Sequence, residues 1–287
     1  MSYEHFAYFC NMNLLRKVFN FYLNSSIHVA LSVYALSWVT LFEFSLPYDE
    51  NVLFFIFFGS ITGYNFVKYF GLAKFHHRSL TSALKAVQVF SMLCFVLMCY
   101  FALQLHTEVL LIISILGTIT FLYAIPMLPE KVLLDKHKNL RSISGVKVYV
   151  IALVWAGVTV FLPLFNEDAH LSYDVLITVI QRFLFVLVLM FPFEIRDLQY
   201  DSLKLATIPQ QIGVKRTKVI GVLLLVFVFL LEFFKDELNL KKIVTTLLIA
   251  LITTVFLLFS KKNKGRYYTS FWVEAIPIMW LLLFLLA

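Results

Sequence analysis

The chain has 287 residues, 61% of them hydrophobic and 14% charged, with a mean hydropathy of +0.87. A soluble domain is about 45–50% apolar and about 25% charged, so the composition excludes a water-soluble globular enzyme and predicts an all-α, polytopic membrane protein. The formal net charge of +7 does not mark a nucleic-acid binder; it belongs to the loops on one side of the membrane, as the chain order shows.

Residues 1–23 mix aromatic and polar side chains, without a clean apolar core or a small-residue cleavage site. They read as an amphipathic interfacial segment ending in Arg16 and Lys17, not as a signal peptide. A span needs about 20 mostly apolar residues. That rule predicts nine transmembrane helices in one 1–287 domain, at 26–44, 52–69, 83–102, 109–127, 143–164, 175–193, 219–234, 243–259 and 270–286. Cys94 and Cys99 fall inside one of these spans, no CxxC occurs, and the cysteines read as packing residues.

Assigning alternate loops to one side, beginning with the N-terminus, puts 20 of the 24 Lys and Arg there. The opposite loops hold only Lys235, Lys241 and Lys242, and Arg182 lies within a span. Acids favour the other side: Glu43, Asp49, Glu50, Glu108, Glu167, Asp168, Asp174, Glu232, Asp236 and Glu237. The positive-inside rule then predicts a cytoplasmic N-terminus, a C-terminus outside and an odd number of spans.

The chemistry gathers on the cytoplasmic side. Glu194, Asp197 and Asp201 stand at i, i+3 and i+7 where the sixth span meets water. On a helix of about 3.6 residues per turn they project from one face. Oxygen ligands grouped this way suit a hard cation such as Mg²⁺, above all one carrying a phosphate. The other reading is a solvated helix end, although acids at a helix C-terminus oppose the macrodipole.

After the second span, Asn65 and Lys68 share a helix face, and Lys74, His76, His77 and Arg78 form a cationic stretch. These cations admit two readings. They could meet a diphosphate through charge-assisted hydrogen bonds, or serve as the positive-inside anchor, which composition alone favours. His76 and His77, being adjacent, make a poor metal pair. Tyr123 closes the fourth span ahead of Pro126 and Pro129, and its hydroxyl either enters a cavity or belongs to the interfacial aromatic belt. Two ionisable residues lie within spans. Arg182 sits mid-helix and reads as a hub that hydrogen-bonds neighbouring helices. Glu274 lies about one turn inside the last span, either as the partner of a basic residue or as part of a cavity wall.

Together these stretches resemble the UbiA superfamily of intramembrane prenyltransferases. That family is similar in having nine helices and two aspartate-rich motifs on cytoplasmic loops, one after the second helix and one after the sixth. The resemblance is strongest from Pro192 through Asp201, with Thr207-Ile208-Pro209 and Gly213 behind, and it is supported by Tyr123, Gly145-Val146-Lys147 and Trp155. It implies transfer of an isoprenyl group from an isoprenyl diphosphate to an acceptor. Glu194, Asp197 and Asp201 would hold Mg²⁺ on the leaving diphosphate. Asp197, Asp201 and Asn65 are the implied catalytic positions, and Lys68, Lys74, Arg78, Tyr123 and Lys147 the implied substrate-binding ones. The implied partners are an isoprenyl diphosphate or other lipid and the membrane lipids, with no nucleic acid. The default expectation for location is a multi-pass protein of the bacterial cytoplasmic membrane, with an organelle membrane as the alternative.

The first motif departs from the family's pattern. Asn65 matches its Asn, but the acid positions fall on Phe66, Tyr69 and Ala73, and a lysine usually four residues after the tyrosine falls on Met127. Two readings follow. In one, Lys68, Lys74 or Arg78 replaces one Mg²⁺ as the positive charge on the diphosphate. In the other, the chain keeps the fold as a catalytically inactive lipid-binding or scaffold subunit. A transporter fits less well, because no inverted repeat is visible and the polar groups gather at one surface.

Overall fold

The computed structural model describes residues 15–73, 82–124, 145–199 and 207–286, and all regular structure among them is helical. Each predicted apolar stretch coincides with a helix: α2 (Ile27–Glu43), α3 (Glu50–Ala73), α4 (Ser82–Ala102), α5 (Thr107–Ala124), α6 (Val146–Asn166), α7 (Tyr173–Asp197), α9 (Val214–Leu231), α10 (Leu240–Phe259) and α11 (Tyr268–Leu286). Two short helices, α1 (Leu15–Asn24) and α8 (Ile208–Ile212), complete the set. Seven of these helices are long and apolar enough to cross a membrane unaided, which makes this an integral, multi-pass membrane protein. α2 meets that test together with α1, from which it bends by 56°, and the apolar part of α5 is shorter. α1 falls in the expected interfacial segment, of which residues 1–14 lie outside the described residues.

The bundle closes on itself. α2 packs against α3, α6 and α11, and from α11 the contacts run through α10, α9 and α7 back to α6. α4 covers α3, and α5 packs on α6. α7 is the most enclosed span, and Phe185, Val188, Leu189 and Ile195 on it are fully buried. Gly221 lets α9 approach this centre: a Cβ there would lie 2.4 Å from Leu257 on α10 and 3.1 Å from Phe191 on α7. Gly213, at φ +82°, turns the chain between α8 and α9 in a conformation that side chains with a Cβ resist.

Pro163 opens the ladder of α6, and a neighbouring side chain uses the carbonyl it releases. Pro163 follows a π-turn at Gly157–Phe161 in α6. Without an N–H it cannot bond the carbonyl four residues back. That carbonyl, on Thr159, instead accepts from Thr40 Oγ1 on α2 at 2.8 Å. α11 opens with a second π-turn, Tyr268–Val273, ahead of Pro277. There the Phe271 carbonyl accepts from His28 Nε2 at 2.8 Å, and the Glu274 carbonyl accepts from Ser32 Oγ. So α2 is stitched to both α6 and α11 through irregular backbone.

Arg182 is the predicted hub. Its Nη2 donates to Glu43 Oε2 and to Thr40 Oγ1, both at 3.2 Å, and its guanidinium lies 4.9 Å from the Trp280 ring. Beside it, Glu232 accepts from Gln181 Nε2 at 3.0 Å and from Lys235 Nζ at 2.9 Å. Glu43 and Glu232 read in the sequence as acids of the outer loops; both are buried ion-pair members instead. Buried pairs are hard to break from one side, because the partner left behind keeps its charge without water. Arg182→Met is therefore expected to lower stability by about 3–5 kcal/mol. Arg182→Met combined with Glu43→Leu should recover most of that loss, read by thermal unfolding of the detergent-solubilised protein in a double-mutant cycle.

Candidate functional site

Glu194 and Asp197 occupy the last turns of α7, one helical turn apart on one face. Glu194 is buried at 3% exposure, whereas the Asp197 side chain keeps 24%. Asp197 Oδ1 accepts from Arg196 Nε at 2.7 Å. Arg196 Nη1 reaches in turn to Thr269 Oγ1 and, at 3.4 Å, to Ser270 Oγ. The end of α7 is thus fastened to the π-turn of α11. The Arg196 guanidinium also lies 5.6 Å from the Phe193 ring.

The other half of the site is built at the bend between α1 and α2. Ser26 stands there at φ 64°, and its side chain does not cap α2. Its hydroxyl donates instead to Asn65 Oδ1 at 2.8 Å and accepts from Lys68 Nζ at 2.7 Å. Asn65 Nδ2 donates to the Ser25 carbonyl at 2.9 Å and to Ser91 Oγ on α4 at 2.8 Å. The Asn65 amide, 3% exposed, therefore joins the bend, α3 and α4. Lys68, one turn on, is exposed.

Glu274, on the turn just past the π-helical segment, links the two halves. Lys68, Arg196 and Arg266 all act electrostatically on its carboxylate. Tyr22 and Tyr64 also lie within its electrostatic reach, and Tyr64 lies within that of Tyr123. The Tyr64 hydroxyl accepts from Trp155 Nε1 at 2.7 Å. Glu274 makes no side-chain hydrogen bond or ion pair among the described residues. Of the two sequence readings of Glu274, a basic partner is approached only at a distance, since Lys68, Arg196 and Arg266 act on it electrostatically without an ion pair among the described residues. A cavity of 320 Å³ lined by Glu43, Asp174, Thr178, Lys235 and Lys242 lies at the other end of α7 and has no part in this cluster.

The predicted residues divide accordingly. Tyr123, Glu194 and Asp197 lie in the last turns of α5 and α7, and Asn65 and Lys68 in the C-terminal part of α3. Lys147 starts α6 and forms no hydrogen bond or ion pair with them among the described residues. Lys74, Arg78 and Asp201 lie outside the described residues. For a hard cation the donor chemistry is suitable on the α7 side only. Asp197 Oδ2 has no partner among the described residues, while the Asn65 amide is already fully engaged. Among the described residues no three His, Cys, Asp or Glu side chains gather closely enough to hold a metal. Asp201, the third acid of the sequence motif, lies outside the described residues.

No protein-family model and no curated protein sequence matches the chain. Solved structures do. A UbiA homologue from Aeropyrum pernix K1 superposes with a TM-score of 0.63 at 15% identity, over 91% of this chain and 98% of that one. A UbiA homologue from Archaeoglobus fulgidus bound to GPP and Mg²⁺ gives 0.60 at 15% identity, over 93% and 98%. A structure of digeranylgeranylglyceryl phosphate synthase gives 0.56 at 15% identity, over 94% and 98%. This chain has the UbiA fold.

Within the UbiA fold, the features that sequence reasoning missed are Ser26, Tyr64 and the placing of Arg196 and Arg266 around Glu274. Only Glu274 carried a signal, as an ionisable residue inside an apolar span. The hub role of Asn65 is open to direct measurement. Asn65→Ala strands Ser26, Ser91 and a buried carbonyl and should destabilise the protein by about 2–4 kcal/mol. Asp197→Asn, at a partly exposed pair, should change stability by less than about 1 kcal/mol. Thermal unfolding in one detergent compares the two.

Proposed function

We propose that this protein is a UbiA-type intramembrane prenyltransferase that binds an isoprenyl diphosphate at the ends of α3 and α7. In this reading all nine predicted helices cross the membrane, with the N-terminus and the site on the cytoplasmic side. The observation that carries it is the placing, in the UbiA fold, of two carboxylates on one face of α7 with Arg196 of the same helix end paired to one of them. The structural neighbour bound to GPP and Mg²⁺ supports the choice of ligand.

The chemistry asked of the site is transfer of an isoprenyl group. The bond between the allylic carbon and the diphosphate oxygen breaks, its electron pair leaves with the diphosphate, and an acceptor forms the new bond and loses a proton. A Mg²⁺ ion held by Glu194, Asp197 and Asp201 would supply charge neutralisation on the departing oxygens. Lys68 and Arg196 donate N–H groups to the same anion, and such charge-assisted bonds strengthen as charge builds on the leaving group. Asn65 positions Lys68 by holding Ser26, the residue on which Lys68 rests. The rings of Tyr64 and Trp155, joined by a hydrogen bond, would attract positive charge on a ligand that reached them.

A second reading is favoured by one observation: the first-motif acid positions are Phe66, Tyr69 and Ala73, and the remaining Asn65 is fully hydrogen-bonded. Such a chain would bind an isoprenoid lipid without turning it over, as a subunit of a membrane complex. The two readings separate on a binding titration with a non-hydrolysable isoprenyl diphosphate analogue. In the enzyme reading Mg²⁺ tightens binding by at least about tenfold, the worth of a charge-assisted bond. Asp197→Ala removes that increment. Equal Mg²⁺ responses in wild type and Asp197→Ala would refute the metal-assisted reading.

A further inference from the structure

We infer that the cavity at the N-terminal end of α7 binds a small organic cation, whose primary ammonium groups meet Asp174, Asp236 and Glu237 and give an N–H to Thr178. Thr178 and Glu194 stand about 24 Å apart along α7, at about 1.5 Å of rise per residue. The cavity is therefore separate from the proposed diphosphate site and does not depend on that reading.

Four helix ends build it. α2 ends at Glu43, α7 carries Asp174 in its first turn, the segment after α9 supplies Lys235, Asp236 and Glu237, and α10 carries Lys242 near its start. Two N-termini and two C-termini meet here, so their macrodipoles oppose one another and the side chains set the sign of the field. The Asp236 N–H donates to Asp174 Oδ1 at 2.9 Å and fastens the segment between α9 and α10 to the start of α7. The space enclosed is 320 Å³, at the low end of the range of about 300–1,000 Å³ for small-molecule sites.

The inner charges are already matched. Glu43 holds Arg182 at 3.2 Å and Lys235 holds Glu232 at 2.9 Å, and all four side chains are buried. That leaves Asp174, Asp236 and Glu237 against Lys242, and none of these four forms an ion pair among the described residues. With every ionisable lining group and its buried partner counted, the cavity keeps two negative charges. Lys241 does not line it, and counting that residue as well leaves the sign unchanged.

Thr178 points to a ligand independently of the charges. It lines the cavity at 2% exposure, and its Oγ1 has no hydrogen-bond partner among the described residues. A buried hydroxyl left unpaired is costly, and nearly all find a partner. Its oxygen can accept an N–H, of which an ammonium carries three. A bare metal ion fits less well. It needs several oxygens closed to about 2.0–2.6 Å, and among the described residues no three acids gather closely enough. Acids spread around a cavity suit a longer cation that carries its charges apart.

The test uses the full-length protein in an uncharged detergent, with 1,4-diaminobutane as the soluble probe. Wild type is expected to bind it saturably, and less tightly as NaCl is raised. Asp236→Asn combined with Glu237→Gln should weaken binding about tenfold, the size of two exposed ion pairs. Both residues are exposed, and Asp236 holds Asp174 through its backbone, so this variant is expected to keep the fold, which thermal unfolding verifies. Thr178→Val should also weaken binding about tenfold, yet unfold no lower than wild type without ligand, because the unpaired hydroxyl is gone. The ammonium can come from a free amine or from a lipid headgroup. Diaminobutane binding assigns the free amine. If no diaminobutane binds, phosphatidylethanolamine in nanodiscs that raises the Tm of wild type but not of the double variant assigns the headgroup. No response to either probe, or responses unchanged in the two variants, overturns the inference. So does equally tight binding of permethylated diaminobutane, which has the same charge and no N–H.

Discussion

One primary amide carries the geometry of the site. Asn65 uses its carbonyl on Ser26 and its two N–H groups on Ser25 and Ser91, so a bend, α3 and α4 meet at a single side chain. In a low-dielectric bundle each of those groups would be costly to leave unmade, and bonds in such a chain polarise one another. The amide therefore stabilises Ser26 in its left-handed conformation and, through it, the 56° bend that brings α1 across the end of the bundle. Lys68 rests on the same hydroxyl. The position of the site's first cation thus follows from a hydrogen-bond network that contains no charge except the lysine's own.

The architecture was legible because a membrane imposes lengths. Apolar stretches of the right size became helices, and even the broken ladders at Pro163 and Pro277 lie where proline forbids a backbone bond. Arg182 was legible as a hub for a related reason: a charge in the middle of α7 has nowhere to go but another helix. Its partner was not. Glu43 ends an apolar stretch and has the look of a loop acid; only the tertiary fold, which brings it to Arg182 139 residues away in the chain, encloses it.

The site was legible in part, and its gaps share a cause. Lys68, Arg196 and Arg266 all counted toward the positive-inside pattern, and a charge count does not distinguish an anchor from a ligand. What sets these three apart is the partner each meets across the fold, Ser26 for Lys68, Thr269 for Arg196 and Asn24 for Arg266, which is tertiary information. Asn65 shows the converse. It matched a motif by residue type, but the identity of a residue does not say what its side chain bonds. Here the amide is saturated by hydroxyls and a carbonyl, and its neighbours at 66 and 69 are aromatic.

The absence of acids at 66, 69 and 73 makes electrostatic sense beside Lys68. Carboxylates near a diphosphate repel it and need a divalent ion to reverse the sign of the field. Removing acids and ion together and placing one ammonium nearby leaves the field with the same sign and one fewer component. At an effective dielectric of 20, two unit charges 4 Å apart interact by about 4 kcal/mol, so the exchange is not a small perturbation in either direction. A lysine cannot match the two charges of a metal on oxygens that share them, and this places more of the demand on Arg196 and on the acids of α7. The α7 face retains Glu194 and Asp197, and the fold ties Asp197 to Arg196, the cation closest to it. In the proposed reading the charge on Lys68 is fastened to the same hydrogen-bond network as Asn65, while the α7 face keeps its two acids, so the change is confined to one side of the site.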